Sequence, residues 1–185
     1  MRVTDDRGRL VTRVAAFDCG TNSLRLLIAD LDPRTGAAVE VVRQMRVVRL
    51  GEGVDQTGRI SEAAMARVFA ATEEYLALVR AHQPTEIRFC ATSAARDAAN
   101  AEEFMTGIAA RVGVTPEVLD GRAEAEASYA GATRSLPELA EPVLVVDIGG
   151  GSTEFVLGSR AGGVQQARSL DIGSVRLTER HRLAD

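Results

Sequence analysis

Two short stretches of this sequence have the residue types that phosphate chemistry uses. Asp18-Cys19-Gly20-Thr21-Asn22-Ser23 and Asp147-Ile148-Gly149-Gly150-Gly151-Ser152-Thr153 each follow an apolar run and precede another. A tight turn of small residues between two strands exposes consecutive backbone N–H groups, a concave nest that suits phosphate oxygens. The Ser and Thr hydroxyls add donors, and the Asp heading each turn can face the same space to hold a cation or a water. A single glycine turn is more often only a turn. Two of them, in matching positions and about one domain length apart, predict two lobes whose facing loops clamp one polyanion.

Composition narrows the chemistry further. The chain has 185 residues, 45% hydrophobic and 26% charged, with a formal net charge of -4. That suits one domain or slightly more, with enough apolar residues for a core. All 22 residues of the Lys+Arg total are Arg. The absence of Lys excludes a Walker A loop, a pyridoxal Schiff base and the strand lysine of protein kinases. Cys19, Cys90, His82 and His181 lack metal-ligand spacing, and two cysteines make no disulfide framework. The cysteines read as small core residues and the histidines as helix-end or surface groups. Arg is spread along the chain, which argues against a general nucleic-acid binder. No apolar run is long enough to cross a bilayer and no secretory signal opens the chain, so a cytoplasmic location is expected.

The elements that must position the loops follow from periodicity. Residues 1–12 read as a loose tail. Arg13–Phe17, Leu24–Leu31 and Val39–Leu50 read as three successive strands, an antiparallel meander. Ser61 caps a helix whose apolar face is Met65, Val68, Phe69, Thr72, Leu76 and Val79, and which ends before Pro84. Glu86–Ala91 is a strand. Asn100 with Glu103 resembles a capping box, and Gly113 stands where a C-terminal glycine belongs. Val114–Leu119 reads as a strand and Arg122–Ser135 as a helix. After a boundary near residue 136 the opening pattern restarts, with a buried strand over Pro142–Ile148 and further strands over Thr153–Leu157 and Val164–Leu170. Arg176–Arg182 reads as a solvated helix. The expectation is an α/β layered fold: a lobe over 13–136 with a mixed sheet and flanking helices, and the start of a similar lobe over 137–185.

On these residues the sequence resembles the exopolyphosphatase and guanosine pentaphosphate phosphohydrolase (Ppx/GppA) family, within the actin-like (ribonuclease H-like) superfamily. The two loops carry the resemblance, as Asp18 to Arg25 and Val146 to Glu154. Leu50-Gly51-Glu52-Gly53-Val54, Ala91-Thr92-Ser93-Ala94-Ala95-Arg96-Asp97 and Gly121-Arg122-Ala123-Glu124-Ala125 agree. The resemblance implies two actin-like lobes and hydrolysis of terminal phosphate from inorganic polyphosphate or guanosine pentaphosphate. It also implies Mg²⁺ as cofactor and a homodimer as one assembly. No guanine pocket is evident in these residues to choose between the substrates.

The family pattern also assigns roles. Glu124 falls on the water-activating carboxylate, although spacing alone makes it a solvated helix glutamate beside Arg122 and Glu126. Asp147 and Glu154 fall on the metal carboxylates, and hard oxygen ligands with a phosphate substrate favour Mg²⁺. Asp147 by itself would read as a turn cap. Arg96 falls on the phosphate-contacting arginine, whose planar guanidinium can take two oxygens; by itself it would be a helix-flanking surface residue. Gly20, Thr21, Asn22, Ser23, Gly149, Gly150, Gly151 and Ser152 would bind phosphate. Arg25 would join them or pair with an acid on the neighbouring strand. About 50 residues follow the boundary, too few for a second lobe as large as the first. An uncovered sheet face, low solubility and weak activity are therefore expected. A non-catalytic polyphosphate or nucleotide binder is the alternative, separable by binding without turnover. A kinase of the same superfamily would instead produce ADP and a phosphorylated acceptor.

Overall fold

The computed structural model describes residues 3–4, 10–134, 136, 140–159 and 162–181. Strand β1 (Val3–Thr4) pairs antiparallel with β2 (Leu10–Cys19). From β2 the chain runs through β3 (Ser23–Leu31) and β4 (Ala38–Val47) as the expected antiparallel meander. β2 turns Val11, Ala15, Phe17 and Cys19 into the core, with half-buried Arg13 in phase between the first two. It begins three residues before Arg13 because β3 reaches Leu31, which pairs with Thr12, and β1 takes Leu10 and Val11. The expected tail is thus partly strand; residues 1, 2 and 5–9 lie outside the described ones. β4 stops at Val47, short of Leu50, because Val48 and Arg49 turn to donate to the Asn22 carbonyl.

A one-turn helix α1 (Val54–Thr57) precedes the long α2 (Glu62–His82), whose Ser61 cap accepts from the Ala64 N–H at 3.1 Å. α2 returns the chain to β5 (Glu86–Ala91), parallel to β2. A second one-turn helix, α3 (Ser93–Asp97), leads to α4 (Ala101–Val112), which Gly113 ends with φ at +79°. Asn100 starts α4 without a capping box. Its buried side chain instead accepts from the Ile60 N–H and donates to the Ile60 carbonyl, stapling the loop before α2. β6 is only Glu117–Val118, parallel to β5.

The sheet order is β4-β3-β2-β5-β6, with β3 antiparallel to its neighbours and β2, β5 and β6 parallel, the mixed sheet expected. α2 and α4 cover one face, closing a core around Phe17, Leu26, Val68, Phe89, Phe104 and Ile108.

Helix α5 (Gly121–Arg134) crosses to a three-stranded antiparallel sheet of β7 (Val143–Ile148), β8 (Thr153–Ser159) and β9 (Gly163–Leu170), followed by α6 (Ser174–Arg180). Ser135, residues 137–139 around the expected boundary, and Arg182 lie outside the described residues. α5 packs Ala125 and Tyr129 on Val156, with Val143 and Val145 alongside. The other face of β7 is uncovered, contrary to the buried strand expected from its apolar run. Leu144, Val146 and Ile148 are exposed there, Ile148 at 72%, and Phe155 stands opposite Val146. An edge strand buries only the face a helix reaches. Among the described residues no helix is long and apolar enough to cross a membrane.

Candidate active site

The two glycine turns are built alike. The Gly20 N–H donates to the Ser23 carbonyl at 2.9 Å, and the Gly149 N–H to the Ser152 carbonyl at 2.9 Å. The first glycine of each loop therefore spends its own donor on closing the turn. The later donors are free because the carbonyls are pinned from behind. The Thr21 carbonyl accepts from Gly51, the Gly149 carbonyl from Ser174, and the Gly150 carbonyl from Val175 and Arg176. In a trans peptide C=O and N–H point in opposite directions, so these bonds aim the Asn22, Gly150 and Gly151 N–H groups away from the bracing segments. Among the described residues none of the three has a partner. Gly51 is dictated by this brace: a Cβ there would overlap the Thr21 methyl.

Both loops line one cleft of about 520 Å³, together with Asp18, Arg25, Glu124, Asp147 and Glu154. The lobes touch at its floor. Thr21 Oγ1 and Ser93 Oγ are 2.7 Å apart and buried, and Gly151 packs against both. Thr21 and Gly151 thus join the lobes as well as belonging to the loops.

The charged residues fall into three groups. Arg25 and Asp18 are cross-strand partners and pair at 2.9 Å, so the neighbouring-strand pairing is what this arginine makes. Glu124 stands on the first turn of α5 with its side chain 16% exposed, not solvated as its helical spacing alone suggested. Burial pushes its carboxyl up from the ordinary carboxylate range, and the Glu154 charge adds to this; the bond and charge of Arg96 pull the other way. Arg96 itself is not on the cleft wall. From α3 it donates to the Leu119 carbonyl at 2.8 Å and to Glu124 Oε2 at 3.2 Å, bearing on the cleft through that carboxylate.

Asp147 and Glu154 are the third group. They face each other directly across the β7–β8 pair, which puts both side chains on one face. Glu154, 1% exposed, accepts from Ser169 Oγ at 2.8 Å, and Asp147 accepts from Ser128 Oγ. Cys19 is fully buried and its thiol is pushed far up by desolvation, so it stays protonated. Cys90 is half-buried on the cleft wall.

Sequence reasoning left several contributors without a role. Ser93 lies inside a quoted stretch but only its contact with Thr21 reveals its use. Ser128 and Ser169 carry no motif of their own. Arg176, read as part of a solvated helix, reaches Gly151, Asp55 and Asp97.

The Ppx/GppA phosphatase family's sequence model matches residues 28–185. Exopolyphosphatase 2 of Mycobacterium tuberculosis is 48% identical over 177 residues, covering 92% of this chain and 55% of that protein. The crystal structure of an exopolyphosphatase from Cytophaga hutchinsonii superposes with a TM-score of 0.86 at 31% identity, over 94% of this chain and 55% of that one. The Aquifex aeolicus Ppx/GppA family member gives a TM-score of 0.75 at 37% identity, over 91% of this chain and 54% of that one. The chain spans about half the length of these relatives.

Proposed function

The chain belongs to the Ppx/GppA phosphatase family, and from that premise we propose that its cleft releases terminal phosphate from inorganic polyphosphate by phosphoanhydride hydrolysis. The observation that carries the reading is the shared cleft: both loops, with the Asn22 and Gly150 N–H groups, and one buried carboxylate of raised basicity line the same space. Guanosine pentaphosphate offers the same anhydride and is the second substrate to test.

The phosphoryl oxygens would rest on the Asn22 and Gly150 N–H groups, which are oriented before substrate arrives and need no reorganisation; Gly151 is buried between the lobes and does not line the cleft. Glu124 would hold a water by one carboxylate oxygen and take its proton as the water attacks the terminal phosphorus. The bond from phosphorus to the bridging oxygen breaks, leaving orthophosphate and a chain one phosphate shorter. Arg96 would hold Glu124 in place and favour its ionised form.

Asp147 and Glu154 would hold Mg²⁺. Their donor set fits it: two facing carboxylates, both hard oxygen ligands. Among the described residues no three His, Cys, Asp or Glu converge into a closed cage. That suits an ion that keeps several waters and takes its remaining ligands from phosphate. Bound there, Mg²⁺ would neutralise charge on the phosphoryl oxygens. Ser128 and Ser169 would fix the rotamers of the two carboxylates.

The test is phosphate release from medium-chain polyphosphate and, separately, from guanosine pentaphosphate, by the chain and by Glu124→Gln. Loss of a general base costs roughly 10²–10⁴-fold. Equal release from both proteins would refute the assignment of Glu124. Binding of polyphosphate with no release from either would convert the reading to a non-catalytic binder.

A further inference from the structure

α6 is bonded to the second glycine loop on one side and to the first lobe on the other. Its Ser174, Val175 and Arg176 N–H groups donate to the Gly149 and Gly150 carbonyls, so loop and helix form one unit. From that unit the Arg176 guanidinium, 12% exposed, makes three bonds in three directions. Nε donates to the Gly151 carbonyl at 2.7 Å, Nη1 to Asp55 at 2.5 Å and Nη2 to Asp97 at 2.5 Å. Asp55 belongs to α1 and Asp97 to α3, both in the first lobe. Arg180 also takes both oxygens of Asp55, and Glu179 accepts from the Gly53 N–H.

α3 is where these connections meet. Within its five residues, Ser93 touches Thr21 of the first loop, Arg96 holds Glu124, and Asp97 holds Arg176. A surface ion pair would mean little for function. A shielded guanidinium whose planar fork joins a loop carbonyl to carboxylates on two separate helices is different, because no ammonium can reproduce that geometry. We infer that Arg176 is a positioning residue: it fixes the second glycine loop over the first, so that the two sets of outward N–H groups meet one phosphate chain in the same register.

The consequence for substrate rests on the hydrolase reading; the tie between lobes does not. If Arg176 sets the population of lobes in register, its loss multiplies apparent affinity by the remaining fraction and leaves the bound complex as competent as before. A fall of that fraction to about one tenth raises KM about tenfold with kcat unchanged. An arginine that merely stabilises the fold would lower kcat per molecule and leave KM alone.

The experiment compares the chain with Arg176→Lys, and with Asp97→Asn as a second variant that removes one arm of the fork. Spin labels at Glu103→Cys on α4 and Gln166→Cys on β9, both exposed, report the distance between lobes, in a Cys90→Ser background common to all arms. Tripolyphosphate is the probe for Kd and for turnover. The expected result is a longer or broader distance distribution for Arg176→Lys, a KM or Kd raised about tenfold, kcat within about threefold, and a smaller change of the same kind for Asp97→Asn. An unchanged distance distribution overturns the inference, as does a fall in kcat with KM unchanged. If no protein in the series turns tripolyphosphate over, the hydrolase reading fails by itself. The distances and Kd values then still decide the role of Arg176: widening with weakened binding supports it, and no change refutes it.

Discussion

Gly151→Ala tests the contact between the lobes. A methyl on Gly151 would lie 2.5 Å from Ser93 Oγ and 2.7 Å from Thr21 Oγ1, both closer than real Cβ atoms approach their neighbours. Both hydroxyls are buried and bonded to each other, so neither can swing away without losing its partner. Overpacking of this kind costs about 1–3 kcal/mol. Against it stands about 0.4–1 kcal/mol gained by restricting the unfolded chain, since Gly151 is not among the glycines with positive φ. The two ranges leave a net loss of up to about 2.6 kcal/mol, centred near about 1.3 kcal/mol, and at about 2–4 °C per kcal/mol for a chain of this size the central value lowers Tm by about 3–5 °C. Repeating the substitution in a Thr21→Ala/Ser93→Ala background removes both obstructing atoms. The nearest remaining neighbour, Ser93 Cβ at 3.4 Å, is an ordinary contact, so there the change should be neutral or stabilising. Thermal unfolding of the four proteins gives the coupling directly. Equal loss in both backgrounds would refute the claim that Gly151 is glycine because the lobes meet there.

Three further outcomes follow from the site and its supports. Arg96→Met removes the bond and charge that hold Glu124 down, so its carboxyl rises further and the acid limb of the pH–activity profile moves to higher pH; an unmoved limb would separate Arg96 from the base. Asn100→Ala strips the Ile60 N–H and carbonyl of their partner in a buried place and should cost about 1–3 kcal/mol in urea unfolding; a change under about 0.5 kcal/mol would mean water replaces the amide. Chelation with EDTA should abolish phosphate release and Mg²⁺ restore it, whereas Asp147→Asn should need a several-fold higher Mg²⁺ concentration for half-activation; full activity in EDTA would dismiss the metal role of that pair.

What the sequence made legible was mostly local. Ser61, Gly113 and the bounds of β5 follow from short-range chemistry, and the loops stand out because two alike glycine turns recur in matching positions, which the structure builds with the same Gly N–H to Ser carbonyl bond. Glu124 was misplaced by spacing alone, since a charged helix position looks solvated until the cleft that encloses it is known; only the family resemblance pointed inward. The contributors without a signal act at long range. Arg176 reaches carboxylates 121 and 79 residues away, and no periodicity encodes such a meeting. β7 failed for a related reason: an apolar run records a tendency to be buried, while the cover on each face is decided by other elements. Asn100 carries the right residues for a capping box, but two bonds to a buried loop outcompeted that local one.

The order of elements along the chain sets an order of events during synthesis. The first sheet is complete once Val118 has left the ribosome, with α2 and α4 already available to cover it. α5 emerges next, and its inward residues, Ala125 and Tyr129, belong against Val156, which has not yet been made. At about 5–20 residues per second, the ribosome needs roughly 1–5 s to travel from Tyr129 to Val156. For those seconds the helix bearing Glu124 has only its polar tie to Arg96 of the first lobe, and its apolar face has nothing to pack on. Nascent-chain quality control would meet this protein there, and a translational pause placed in that interval would lengthen the exposure in proportion.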